Sequence, residues 1–197
     1  MGFRFLPFPA QRASRMYFAV TLAVFACACG KKEEPAVTAP PPRTPAGPPV
    51  ALGVTPDAGS GSSETFIVKF SQPGNYRQLS NVRLLINSET SGGHACYVYY
   101  SLVPNAFLLV NDSGQGSAAA ALGSGATVEN SQCTVLTEGA KVEGAGSDVS
   151  VTIPIRFKAA FAGVKKLVLF AENSAGANTD LVLKGQYEVT SRAASSR

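Results

Sequence analysis

Apolar and polar positions alternate through most of the chain after residue 63. Phe66, Val68 and Phe70 alternate with Ile67 and Lys69, and Val82, Leu84 and Ile86 with Arg83, Leu85 and Asn87. Cys96, Val98 and Tyr100 alternate with Tyr97 and Tyr99. The longest run sets Val149, Val151, Ile153, Ile155 and Phe157 against Ser150, Thr152, Pro154, Arg156 and Lys158. A period of two cannot make one face of a helix, so each run predicts a strand. Phe107-Leu108-Leu109-Val110, Lys166 to Phe170 and Leu181 to Val189 add further strands. Pro154 lacks a ladder donor and predicts an edge strand or a bulge at its position. Residues 71–75, 91–93, 111–114 and 173–176 carry Gly, Asn, Asp and Ser turn chemistry. The alanine run Ser117 to Leu122 is the only helical candidate, hemmed in by glycines. About seven to nine short strands predict an all-β, immunoglobulin-like β-sandwich over residues 64–190.

Upstream the pattern changes twice. Residues 1–15 hold three arginines and no acid, and residues 16–26 are an apolar run. That run is too short to span a bilayer as a helix, and a basic start before a short apolar segment predicts a signal peptide over residues 1–26. Val24-Phe25-Ala26-Cys27 resembles the bacterial lipobox, and Ala26-Cys27-Ala28-Cys29 offers an alternative. The resemblance implies a lipidated Cys27, with Cys29 as the alternative, and a membrane partner reached through several acyl chains. Neither Ala28 nor Gly30 is the aspartate associated with inner-membrane retention, which points to the outer membrane of a bacterial cell envelope. Residues 27–63 contain eight prolines and no hydrophobic period. They predict a disordered, proline-rich tether. Residues 191–197 read as a disordered tail.

Charge adds little. The net charge of +4 comes mostly from the leader; residues 64–190 hold nine basic and ten acidic residues. Arg156, Lys158, Lys165 and Lys166 read as solvent-facing strand ends rather than a nucleic-acid surface.

Cys96 and Cys133 are the two cysteines beyond the tether. Cys96 shares a face with Val98 and Tyr100, and Cys133 opens a Cys-Thr-Val-Leu strand. In an exported chain they are expected to pair. No tryptophan accompanies them, so nothing points to the antibody family.

Residues 60–66, 82–87, 95–100, 108–112, 129–134 and 157–163 together resemble an uncharacterised module of exported bacterial proteins. The pieces are Ser-Gly-Ser-Ser-Glu-Thr-Phe, Val-Arg-Leu-Leu-Ile-Asn, Ala-Cys-Tyr-Val-Tyr-Tyr, Leu-Leu-Val-Asn-Asp, Glu-Asn-Ser-Gln-Cys-Thr and Phe-Lys-Ala-Ala-Phe-Ala-Gly. The resemblance implies a secreted, immunoglobulin-like building block and no known activity.

Chemistry is sparse. His94, the only histidine, sits in a Gly-rich turn without a nucleophile elbow. One histidine and two paired cysteines make no zinc site. Asp112, Asp148 and Asp180 sit in turn contexts. Asn111-Asp112-Ser113, or Asn173 with Asn178 and Asp180, offer oxygens for calcium without an EF-hand frame. No catalytic, metal or cofactor site is therefore expected. Tyr97 and Tyr99 stand out: if Cys96, Val98 and Tyr100 face inward, both rings face outward. They form an amphipathic platform for a glycan or an envelope protein, or else pack beneath the tether or a loop. The sequence reads as a non-catalytic surface lipoprotein with a structural or adhesion module. A carbohydrate-binding lipoprotein and an envelope-assembly protein that binds a partner strand are the rivals.

Overall fold

The structure, a computed structural model, describes residues 47–191. The leader, Cys27, Cys29, the first part of the tether and the last six residues lie outside that range. In chain order the strands are β1 (Val50–Thr55), β2 (Ala58–Gly61), β3 (Ser63–Ser71), β4 (Leu79–Asn87), β5 (Cys96–Ser101), β6 (Ala106–Val110) and β7 (Ser117–Ala121). They continue with β8 (Thr127–Glu129), β9 (Cys133–Leu136), β10 (Lys141–Ala145), β11 (Asp148–Phe157), β12 (Gly163–Asn173) and β13 (Val182–Val189). Two short 3₁₀ turns, Tyr76–Gln78 and Ala159–Phe161, complete the set.

The strands form two sheets. One runs β1-β3-β11-β9-β8, with β10 also paired to β11; the other runs β2-β13-β12-β4-β5-β6-β7. Every pairing is antiparallel except β2 with β13. The fold is thus all-β and sandwich-like, because the alternating apolar faces have only each other to bury against. Phe66, Val68 and Phe70 of β3 and Val149, Val151, Ile153 and Ile155 of β11 form one inner face. Val82, Leu84 and Ile86 of β4, Leu167 and Leu169 of β12 and Tyr187 of β13 form the other. The Phe66 and Tyr187 rings meet edge to face across the layers at 5.4 Å. Each such side chain stabilises by about 1.5–3 kcal/mol when fully buried. Cys96 of β5 and Cys133 of β9 are joined by a disulfide, Cα atoms 5.6 Å apart, which ties one sheet to the other.

Three local expectations change. Residues 50–61, read as tether, form β1 and β2: β1 pairs with β3, and β2 lies parallel to β13. The prolines and glycines around Val50, Ala51, Leu52 and Val54 conceal β1, which buries Ala51 and Val54 in the core, and β2 is held by edge pairing. The alanine run, the one stretch that offered any helical alternative to the all-β reading, is β7, because β6 supplies a full ladder. Pro154 lies neither on an edge strand nor in a bulge: β11 pairs in unbroken register with β3 from Asp148 to Arg156. Phe157 donates its N–H to Ser62 of the β3 side, so Pro154, three residues earlier, turns its nitrogen to the opposite edge. There β10 pairs only to Thr152 and β9 begins at Ile155. The missing donor falls in the gap between two partner strands.

Candidate functional site

The two outer faces differ in kind. On the six-stranded sheet, Thr65, Lys69, Ser150, Thr152 and Arg156 meet solvent, as a half-buried sheet demands. On the seven-stranded sheet the register aligns Val168, Leu85 and Tyr97 across β12, β4 and β5. A second row aligns Phe170, Arg83, Tyr99, Leu108 and Ala119. Leu183 of β13 stands beside Val168 and is 57% exposed. Leu85 and Val168 are buried under their neighbours and pack with Tyr97.

Arg83 organises this face. Its guanidinium lies over the Tyr99 ring at 4.3 Å and the Phe170 ring at 4.4 Å. It donates to Asn81 at 2.6 Å and to the Tyr99 hydroxyl at 3.2 Å, and pairs with Glu172 at 3.3 Å. Tyr97 and Tyr99 meet edge to face, centroids 4.7 Å apart at 67°. Burial pushes the Tyr99 phenol up to about 12; Tyr97 adds to the rise and Arg83 opposes it. The phenol therefore remains a hydrogen-bond donor across the physiological range.

Both tyrosines singled out by sequence face outward and meet, as the alternation with Cys96, Val98 and Tyr100 requires. They are half-buried, and they do not form a flat pair. Arg83 covers one face of Tyr99 and Tyr97 meets it at a steep angle, so a sugar ring has less free aromatic face to stack on. Arg83, Phe170 and Leu108 were not singled out. Their outward parity is legible in the alternation, but the strand order that assembles them is not.

A second cluster surrounds the disulfide. Asn130 donates to the carbonyls of Ala95 at 2.8 Å and Val110 at 2.9 Å, and accepts from the N–H groups of Gln132 and Cys133. Asp112 accepts from the Ser131 N–H and the Gln132 amide. Hydrogen bonding from Ser131, then from Gln132, with His94 nearby, holds its carboxyl below the ordinary value. His94 sits in a left-handed turn and donates its own N–H to the Asp112 carbonyl. These side chains hold turns.

The calcium candidates behave likewise. Asn111 Oδ1 accepts from Ser113 and Gln115, Asn173 Oδ1 from Ala175 and Ala177, and Asn178 Oδ1 from Asp180. Asp148 takes a hydrogen bond from Ser147. The basic residues scatter. Arg156 is exposed, Lys158 pairs with Glu129 at 2.7 Å, and Lys166 faces outward on β12. Lys165 corrects the solvent-facing expectation: it is 8% exposed, donates to Ser88 and lies over Phe161.

No helix among the described residues is long and apolar enough to cross a membrane. No family model matches the chain, and no curated protein matches it.

Proposed function

We propose that the chain is a non-catalytic lipoprotein of the bacterial cell envelope. Its immunoglobulin-like sandwich is displayed on the proline-rich stalk and binds a protein partner through the outer face of the seven-stranded sheet. The observation that carries this reading is Arg83 stacked between Tyr99 and Phe170 in an apolar face. Tyr, Phe and Arg are the residues that protein interfaces concentrate, and a fixed guanidinium loses little freedom on docking. The immunoglobulin-like assignment is supported by two facing sheets with the chain crossing between them after β1, β2, β3, β7 and β11. The export reading rests on the leader, the cysteines that follow it and the inter-sheet disulfide.

The glycan reading has less support, since Arg83 occupies a face of Tyr99. Partner-strand binding has one observation behind it: β7 is an edge strand of uncharged Ser and Ala.

Two measurements test the proposal. Metabolic labelling with a palmitate analogue should mark the wild type and fail on Cys27→Ala, or on Cys29→Ala if that cysteine is the acceptor. An unlabelled wild type sinks the lipoprotein reading. A photocrosslinking residue at Leu108 in intact cells should give one discrete protein adduct that is lost with Arg83→Glu. The same residue at Thr152 on the opposite sheet should give none. Equal or absent adducts at both positions overturn the docking face.

A further inference from the structure

At one end of the sandwich the core opens to solvent between the Tyr76–Gln78 turn and the β5–β6 connection. Tyr76, Leu102, Leu122 and Val142 lie there, half-buried against the core cluster. They wall a cavity of about 450 Å³ whose polar groups include Arg77 and Asn105. That volume falls in the range of small-ligand pockets.

Tyr76 and Asn105 are held by their neighbours, and Arg77 is held through its backbone. Tyr76 lies over Gly144 so closely that a Cβ at 144 would come within 2.5 Å of its ring. The Arg77 guanidinium sits over the Tyr76 ring at 5.1 Å. Asn75 caps the turn by accepting the Arg77 N–H at 2.9 Å. Asn105 has φ +64 and accepts the Tyr100 hydroxyl on Oδ1 at 2.5 Å. That bond turns the donating amide nitrogen of Asn105 away from Tyr100. Among the described residues the ion pairs are Arg83–Glu172 and Lys158–Glu129, so Arg77 has no carboxylate partner. No acidic residue lines the cavity. The wall thus mixes apolar side chains with polar groups, and its one charged group, Arg77, is a cation without a carboxylate beside it.

We infer that this cavity binds a compact apolar group carrying a carboxylate, with Arg77 holding the carboxylate and Asn105 donating to a neighbouring carbonyl. Guanidinium recognition of a carboxylate is bidentate and charge-assisted, which makes it specific for the ionised acid. A branched aliphatic side chain fills the space bounded by Leu102, Leu122 and Val142. Two sources present this chemistry: the C-terminal residue of a peptide, and a free branched-chain acid. Only the first supplies an amide carbonyl for Asn105.

The test uses calorimetry and NMR on the full-length protein in detergent, with N-acetyl-leucine, N-acetyl-leucinamide and 4-methylpentanoate as probes. N-acetyl-leucine should bind in the millimolar range and move the amide resonances of Tyr76, Leu122 and Val142. N-acetyl-leucinamide should bind at least about tenfold more weakly. Arg77→Met, an exposed substitution that leaves the core intact, should erase that difference. Asn105→Gly keeps the left-handed backbone and should weaken both N-acetyl probes while leaving 4-methylpentanoate unchanged. Binding of 4-methylpentanoate as tight as that of N-acetyl-leucine assigns the site to free acids, and weaker binding to peptide termini. Equal binding of the acid and the amide, or no shift at those three residues, overturns the inference. Crosslinking from Leu108 is independent of all these outcomes.

Discussion

The side-chain amide of Asn130 donates at 2.8 Å to the main-chain carbonyl of Ala95, the residue before Cys96, while its oxygen accepts from the N–H of Cys133 at 3.0 Å. One short side chain thus holds both cysteine-bearing segments in place. Asn130→Ala should cost about 3 kcal/mol in chemical denaturation, since several partly buried backbone groups lose their partner. Asn130→Asp keeps the acceptor and sets a carboxylate against two carbonyls, so it should cost at least as much. A milder Asn130→Asp would show that the donated bonds matter little.

The disulfide closes a sequence separation of 37 residues. On the chain-entropy argument, replacing both cysteines with serine should remove about 4 kcal/mol. Urea titration of the double variant against the oxidised wild type reads this directly. A loss below about 1 kcal/mol would show that packing, rather than the crosslink, joins the sheets.

Acid should weaken the fold through Asp112 and Glu129. Hydrogen bonds from Ser131 and Gln132 depress the Asp112 carboxyl below its ordinary 3.8, and Lys158 depresses Glu129. A depressed carboxyl stabilises the folded state above its unfolded value, and that contribution disappears as pH falls through the folded value. Thermal midpoints should therefore drop as pH falls below about 4, the ordinary carboxylate range. Asp112→Asn should lie below wild type at neutral pH and converge with it in acid. Parallel curves would remove Asp112 from the account.

Gly185 lies on β13 where β2 begins its parallel approach, and a Cβ there would overlap the Asp57 carbonyl oxygen. That carbonyl also accepts the Gln186 N–H at 2.9 Å. Gly185→Ala should cost about 1–3 kcal/mol, the range for overpacking. Hydrogen exchange should speed up first in residues 58–61, with β3 and β11 unaffected. Unchanged protection of β2 would mean that the backbone shifts without cost.

Arg83→Met keeps the aliphatic stem and removes the charge over Tyr99 and Phe170. It should cost about 1 kcal/mol, the sum of modest cation–π and ion-pair effects. A double-mutant cycle with Phe170→Leu should give a coupling of about 0.5 kcal/mol or more. Zero coupling would leave the stacked arrangement without energetic content.

Sequence reading succeeded where one face of a strand is buried. The run from Val149 to Phe157 specifies β11 and its parity, and Cys96 with Val98 fixes the outward direction of Tyr97 and Tyr99. It failed where stability is borrowed from a neighbour. Ala58 to Gly61 carries no large apolar residue, yet β13 supplies its ladder, and β1 before it is short and broken by Gly53. Pro154 misled because a single strand cannot reveal that its partners on one side change at that point. Lys165 reads as a surface charge from its type alone, while its parity on β12 places it inward beside Tyr187. The outer face of the seven-stranded sheet was half legible: the tyrosines lie on one strand, whereas Arg83 and Phe170 reach them only through the order β12-β4-β5. The end cavity joins Arg77, Asn105 and Leu122 from three separate connections, and no local period links them.

The parallel pairing of β2 with β13 also sets how the domain bears load. The chain enters the sandwich beside Asn173, whose amide holds the Gly47 carbonyl at 2.9 Å, and leaves it beside Gly61, which accepts the Thr190 N–H at 3.1 Å. The span of β12 separates those points by roughly 30 Å. Tension between the two ends of the sandwich loads β1 against β3 and then pulls β2 and β13 in opposite directions along their length. Their hydrogen bonds are then strained together in shear instead of opening one after another, so a domain fixed at its N-terminus and dragged from beyond Val189 would resist until the whole β2 ladder gives way at once.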